Sequence, residues 1–409
     1  MHHSGFAVFV FTMMTLTGNQ NAFADINKTI EHALKLGQDD AKYGQIKFDL
    51  RYRYENANTA GSAKQTANAD TIRLRMGYLT PTFANFQAYA EFLGNQDVFN
   101  KNYNSTRNGK TQYDVIADPQ QNELNQLWFT YTGFSDTNIK VGRQNIILDN
   151  ARFIGNIGWR QMDQTFDAIT VSNKSLPNTT VKAGYILNTR DIFSKENDMD
   201  TQFVNIGYTF KGFGQLTAYT YLVDYQESSI KNANSNQTYG LRFNGAFQLN
   251  NDFKMLYTAE YAWQKDLADN PNSYEVDYIH LMGGISAYGF TLKTSMEQLG
   301  GQDAKGFDFP LGTNHAYQGW ADVFLTTPAE GIRDYYVALR TKALGVNVMG
   351  VYHNFDDDTG NTDYGQEFDF VISRKFGQHY SLLAKYAYYN AENFGVDTQI
   401  IWLQGGMHF

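Results

Sequence analysis

From Gln45 to Glu55 the chain alternates without interruption. Ile46, Phe48, Leu50, Tyr52 and Tyr54 share one parity; Lys47, Asp49, Arg51, Arg53 and Glu55 share the other. Guanidinium groups are rigid forks of donors that match carboxylates bidentately, and lysines add compact point charges. Cations at spacing two therefore bind anions, unless the interleaved acids neutralise them. The pattern recurs. Arg73 and Arg75 oppose Ile72, Leu74, Met76 and Tyr78, and Arg242 opposes Leu241 and Phe243. Lys254 and Glu260 oppose Met255, Tyr257 and Tyr261, Arg340 and Lys342 oppose Tyr335, Val337 and Leu339, and Glu367 and Asp369 oppose Phe368, Phe370 and Ile372.

Other chemistries lack their residues. There is no cysteine in 409 residues, so neither a disulfide framework nor a thiolate metal site is available. His280, His315, His353, His379 and His408 are scattered, and none accompanies a Gly-x-Ser-x-Gly nucleophile motif. The acidic run Asp356 to Asp363 lacks calcium-loop spacing. A net charge of −9 argues against nucleic acid as a partner. Neither catalysis nor a cofactor is expected.

Period two is the signature of extended strands whose side chains alternate between faces. Eighteen such stretches begin near Gln45, Asp70, Thr82, Asn122, Thr137, Met162, Asn178, Thr201, Gly214, Gln237, Asp252, Val276, Gly289, Arg333, Gly345, Tyr364, His379 and Val396. Their connections alternate in length. Tight joints such as Thr80-Pro81, Ser135-Asp136 and Lys211-Gly212 are separated by long ones such as 95–121, 146–161 and 301–332. Short periplasmic turns alternating with long outer loops predict an all-β transmembrane antiparallel barrel, closed by an aromatic-rich final strand ending on Phe409. Ahead of it, residues 1–24 combine an apolar stretch with Ala22-Phe23-Ala24 and read as a signal peptide. Residues 25–44 have helical spacing and read as a periplasmic extension, and 45–409 as the barrel. Beyond the first residues, no apolar run approaches the ~20 residues of a membrane helix.

A lipid-facing charge costs about 2–4 kcal/mol at the bilayer midplane, so the charged parity must face the lumen. At about sixteen strands or more that lumen holds water. Its sign is basic. Lys47, Arg51, Arg53, Arg73, Arg75, Lys140, Lys182, Arg242, Lys254, Lys293, Arg340, Lys342 and Lys385 outnumber Asp49, Glu55, Glu91, Glu260, Glu297, Glu367 and Asp369. Rings of Arg and Lys favour anions. The alternative is that these charges pair across strands and only stiffen the wall.

Two longer segments are less generic than alternating strands. One runs Val141-Gly142-Arg143-Gln144-Asn145 through Ala151-Arg152-Phe153 and Gly158-Trp159-Arg160-Gln161 to Phe166-Asp167; the other runs Phe309-Pro310-Leu311-Gly312 through Gln318-Gly319-Trp320-Ala321-Asp322 to Arg333-Asp334. Both resemble the alginate export porin family of Gram-negative outer membranes. The resemblance implies a monomeric eighteen-stranded barrel in a membrane of lipid and lipopolysaccharide. It also implies a constricted basic pore for an anionic polyuronate. The alternative reading is general diffusion of small anionic or polar solutes, and a further one is a plugged structural barrel or adhesin. The resemblance points to Arg143, Arg152, Arg160, Trp159, Trp320 and Asp322 near the pore mouth, with Arg51, Arg53, Arg73 and Arg75 on the wall. Strict alternation, however, gives Arg143 the lipid-facing parity of Ile139 and Val141, so reaching the pore requires a bulge at Gly142. Glycines and aromatics in both segments suit loops that either fold into the lumen or dock on the rim.

Overall fold

The computed structural model describes residues 20–226, 229–303 and 305–409. Most of the expected signal peptide therefore lies outside the described residues. Helix α1 (Gln20–Leu34) precedes eighteen barrel strands. These are β1 (Gln45–Thr59), β2 (Ala67–Leu79), β3 (Phe86–Asn102), β4 (Gln121–Tyr131), β5 (Thr137–Gln144) and β6 (Thr165–Asn173). Next come β7 (Thr179–Arg190), β8 (Glu196–Phe210), β9 (Gly214–Val223), β10 (Asn236–Gln248), β11 (Phe253–Asp266) and β12 (Glu275–Ala287). The last are β13 (Phe290–Leu299), β14 (Ile332–Ala343), β15 (Val346–Asp356), β16 (Asp363–Phe376), β17 (Tyr380–Ala391) and β18 (Thr398–His408).

Each strand pairs antiparallel with its sequence neighbours, and β1 also pairs with β18, from Asp49↔His408 to Thr59↔Thr398. The sheet therefore has no free edge, as a bilayer requires of strands. All eighteen expected strands are present, each starting within five residues of its predicted position. The largest difference is at β8, where Glu196 to Asp200, expected in a loop, extend the strand past its bulge with β7.

The apolar parity faces outward. Leu241, Tyr261, Tyr335, Val337, Leu339 and Phe368 are all exposed there. At the short-turn end Phe83, Phe86, Phe134, Phe213, Tyr288 and Phe290 form an exposed aromatic girdle, the feature that marks a membrane interface. Helix α1 is tied to this same rim: His379 Nε2 lies 2.7 Å from Glu31, and the Tyr380 hydroxyl donates to Asn27 at 2.8 Å. Among the described residues no helix is long and apolar enough to cross a membrane.

Candidate functional site

The lumen is built in two storeys. In the storey next to the long loops, the segments 145–164 and 305–331 fold inward and lie against the strand wall. The charged residues read as pore-lining are what hold them. Arg51 donates to the carbonyl oxygens of Gly158, Trp159 and Arg160 at 3.0–3.2 Å. Arg53 donates to the Trp159 carbonyl at 2.6 Å, lies 4.2 Å over that indole, and faces Asp118 at 3.6 Å. Arg73 pairs with Asp49, and Arg75 with Asp163 of the first segment.

From the loops outward the pairing is reciprocal. Arg160 bridges Glu55 of β1 at 3.1 Å and Asp322 of the second segment at 2.7 Å. Arg152 meets Glu297 of β13 at 3.3 Å and donates to Gln318 at 2.6 Å. Glu367 and Asp369 accept the backbone N–H groups of Ala321 (2.7 Å) and Trp320 (3.2 Å). Gly319 makes this approach possible. It sits at φ +82°, and a Cβ there would lie 2.3 Å from the Glu367 carboxylate. Arg242 pairs with Glu260 directly across the sheet at 3.1 Å.

At the centre of this storey is a lysine enclosed by aromatics. Lys385 Nζ lies 3.8 Å from the Trp320 ring, 4.3 Å from Trp159 and 5.2 Å from Trp402. It donates to His315 Nε2 at 2.7 Å, and His315 Nδ1 faces Asp322 at 2.6 Å. These partners fix the neutral tautomer, with the proton on Nδ1 donated to Asp322. Burial pulls the His315 imidazole far below its ordinary range, to about 3. Burial pushes the Asp322 carboxyl upward, but His315, Arg160 and Lys385 outweigh it and hold it at about 2. Arg152 lies beside a second aromatic cluster of Phe153, Tyr278, Phe307 and Phe309, its guanidinium 3.8 Å over the Phe309 ring, 4.3 Å from Tyr317 and 5.9 Å from Tyr278.

The storey next to the short turns differs. Within three residues of the short-turn ends, the charged residues of lumen parity are Lys47, Lys140, Lys182, Lys254, Lys293, Arg340, Lys342 and Lys375. Only these strand positions lack a carboxylate; the nearest acids are Asp49, one residue further in on β1, and Asp136 and Asp252 in the adjoining turns. None of these eight cations forms an ion pair among the described residues. Lys254, Arg340, Lys342 and Lys375 are exposed to the lumen, and the others are half-buried. Against the β5–β8 wall of this storey opens a cavity of about 640 Å³.

The expected constriction residues Trp159, Trp320 and Asp322 are thus brought together, and so are Arg53, Arg152 and Arg160. Their charges are covered by the loops they hold, whereas Arg340 and Lys342 face open space. Arg143 is a correction. It keeps the outward parity of Val141 near the loop end of β5, where it pairs with Asp167 at 2.6 Å and Glu196 at 3.2 Å. Gly142, at φ +118° with its Cβ position 2.3 Å from the Leu127 carbonyl, does not turn Arg143 inward. Four participants were missed as site residues. One of them, His315, is among the scattered histidines of the sequence, yet it joins Asp322 to Lys385. Asp118 and Asp163 lie in loops with no periodicity to place them. Trp402 was legible, because it shares the parity of Gln404 rather than that of Ile401 and Leu403.

The family model for alginate export matches residues 42–295. No curated protein sequence matches the chain. Among solved structures, OccAB4 of Acinetobacter baumannii is similar with a TM-score of 0.73 and 14% identity, covering 90% of this chain and 98% of that one. OccAB2 of the same organism gives 0.71 and 14% over 90% and 98%. OpdQ of Pseudomonas aeruginosa gives 0.69 and 12% over 90% and 98%. At such identities the likeness is one of fold, and that fold is the closed eighteen-stranded barrel described above. The chain is an outer-membrane porin, a transport channel rather than an enzyme, and it belongs to the alginate export family.

Proposed function

We propose that this porin favours anions and exports a carboxylated polysaccharide, a polyuronate, acting as a monomer among lipid and lipopolysaccharide. One observation carries the reading: within three residues of the strands' short-turn ends the inward charges are eight cations and no carboxylate. Field lines concentrate in a narrow passage between low-dielectric walls, so such a ring raises the local anion concentration. A single chain closes the barrel, so the lumen needs no second copy to complete it. Membership of the alginate export family supports the polymeric substrate.

The second reading is diffusion of small organic anions. It is favoured by the dense packing of both inserted loops, and by the likeness to OpdK of Pseudomonas aeruginosa, whose structure was solved with vanillate. Both readings are tested by reconstituting the purified protein in a planar bilayer under a salt gradient. A reversal potential on the anion side, with current blocked by added polyuronate, is expected. Anion selectivity without polymer block would favour the second reading, and cation selectivity would overturn both.

A further inference from the structure

We infer that the cavity on the β5–β8 wall is a binding subsite for a carboxylate-bearing solute of about one sugar ring, held by Lys140 and Lys182. The inference rests on the anion reading above and adds the residues and the ligand size.

The backbone register puts the two ammonium groups on one patch. Lys140 stands opposite Thr170 on β6, and Ser172, two residues along that strand, stands opposite both Asn138 on β5 and Lys182 on β7. All five residues have lumen parity, and all line the cavity. Two cations therefore flank two hydroxyls and an amide on three adjacent strands. A carboxylate accepts charge-assisted hydrogen bonds from the former, and sugar hydroxyls exchange bonds with the latter. The cavity volume of about 640 Å³ falls in the ~300–1,000 Å³ range of small-molecule sites.

The site is enclosed at one end. Its roof is the start of the first inserted segment, Asn145 to Leu148, and Phe203 of β8 is part of its wall. The roof is fixed from below by Gln144, which accepts from Thr170 Oγ1 at 3.0 Å and donates to the Ala168 carbonyl at 3.0 Å. The other end opens at the short-turn rim beside Phe134, Asp136 and Lys174. A solute entering from that rim thus meets the lysines before the roof. Lys140 is held against the Trp128 indole, 4.2 Å from the ring centroid, so its position is set before a ligand arrives.

Glucuronate and glucose are the probes, titrated calorimetrically into the detergent-solubilised full chain. Glucuronate is expected to bind and glucose not, and the K140Q/K182Q pair is expected to weaken glucuronate about tenfold or more. The control K254Q/K342Q, which removes two cations elsewhere in the same storey, is expected to leave that affinity within about twofold. Equal weakening by the two pairs, or equal binding of the two sugars by the unaltered protein, overturns the subsite. A second measurement needs no variant: glucuronate is expected to protect Lys140 and Lys182 from amine acylation while Lys254 and Lys342 react as before. Uniform protection overturns the inference. Neither failure touches the reversal potential, so the anion reading of the channel is judged separately.

Discussion

The two storeys of the lumen draw on the same residue types for opposite purposes. In the storey next to the long loops each arginine has found a carboxylate or a set of carbonyl oxygens: Arg53 with Asp118, Arg160 with Glu55 and Asp322, Arg152 with Glu297, Arg51 with three loop carbonyls. Next to the short turns Lys254, Arg340 and Lys342 have found none and face water. Coulomb attraction between charges a few ångströms apart is several-fold stronger under a loop than in water. The covered charges are therefore structural, and on the proposed anion reading the uncovered ones supply the field that a permeating solute meets. Lumen charge alone does not measure selectivity; the loops decide which charges count.

Removing one member of a covered pair gives the largest expected effect. Arg160→Met leaves Glu55 and Asp322 buried without their cation, a loss of about 3–5 kcal/mol. Because the strand ladder does not depend on this pair, the first inserted segment should loosen while the barrel persists. Limited proteolysis within 145–164 is expected to accelerate strongly without loss of the folded barrel on gels. Unchanged cleavage would mean that the segment is held by something else.

Lys385→Met comes next. It removes a cation set among three indoles and His315, an arrangement worth about 2 kcal/mol when desolvated. The methionine fills much of the same space, so the barrel should remain folded while both inserted segments gain mobility. Greater open-channel noise than in the unaltered protein is the expected record.

Acid probes the same cluster. The neutral His315 imidazole is favoured in the folded loops, with its pKa at about 3, against about 6.5 for an unconstrained histidine. Between those values the released state binds more protons, so the contribution to loop closure is complete above about pH 6.5 and is lost as pH falls towards 3. Cleavage of the 305–331 segment by an acid-tolerant protease should rise progressively from pH 7 to pH 4, and His315→Gln should flatten that rise. A rise unaltered by the substitution would place the acid sensitivity elsewhere.

The smallest stability effects belong to the uncovered cations. Lys254→Gln, Arg340→Gln and Lys342→Gln are each expected within about 0.5 kcal/mol of the parent in urea unfolding.

The barrel was legible because lipid and water impose opposite demands on alternate residues, so every strand from Gln45 onward carries its own orientation. Turn and loop lengths added the direction. The signs of the wall residues were legible too, since charge cannot face the bilayer. What the sequence did not reveal was which wall charges are covered, because that depends on two loops whose backbone follows no period. Asp118 and Asp163 supply counter-charges to Arg53 and Arg75 from positions with no pattern to place them. His315 looked like one scattered histidine and became a hinge of the cluster only once Asp322 and Lys385 converged on it. Arg143 shows the converse. Alternation placed it outward, the likeness to a family placed it at the pore mouth, and the parity prevailed because Asp167 and Glu196 satisfy it there.

The division of labour between storeys is tested most directly by reversal potentials in a planar bilayer under a fixed salt gradient, comparing the triple K254Q/R340Q/K342Q with the pair-neutral R242Q/E260Q. The triple is expected to move the reversal potential well towards the non-selective value, and the covered pair to leave it where it was. A large shift from the covered pair, or none from the triple, would contradict the assignment of selectivity to the uncovered cations.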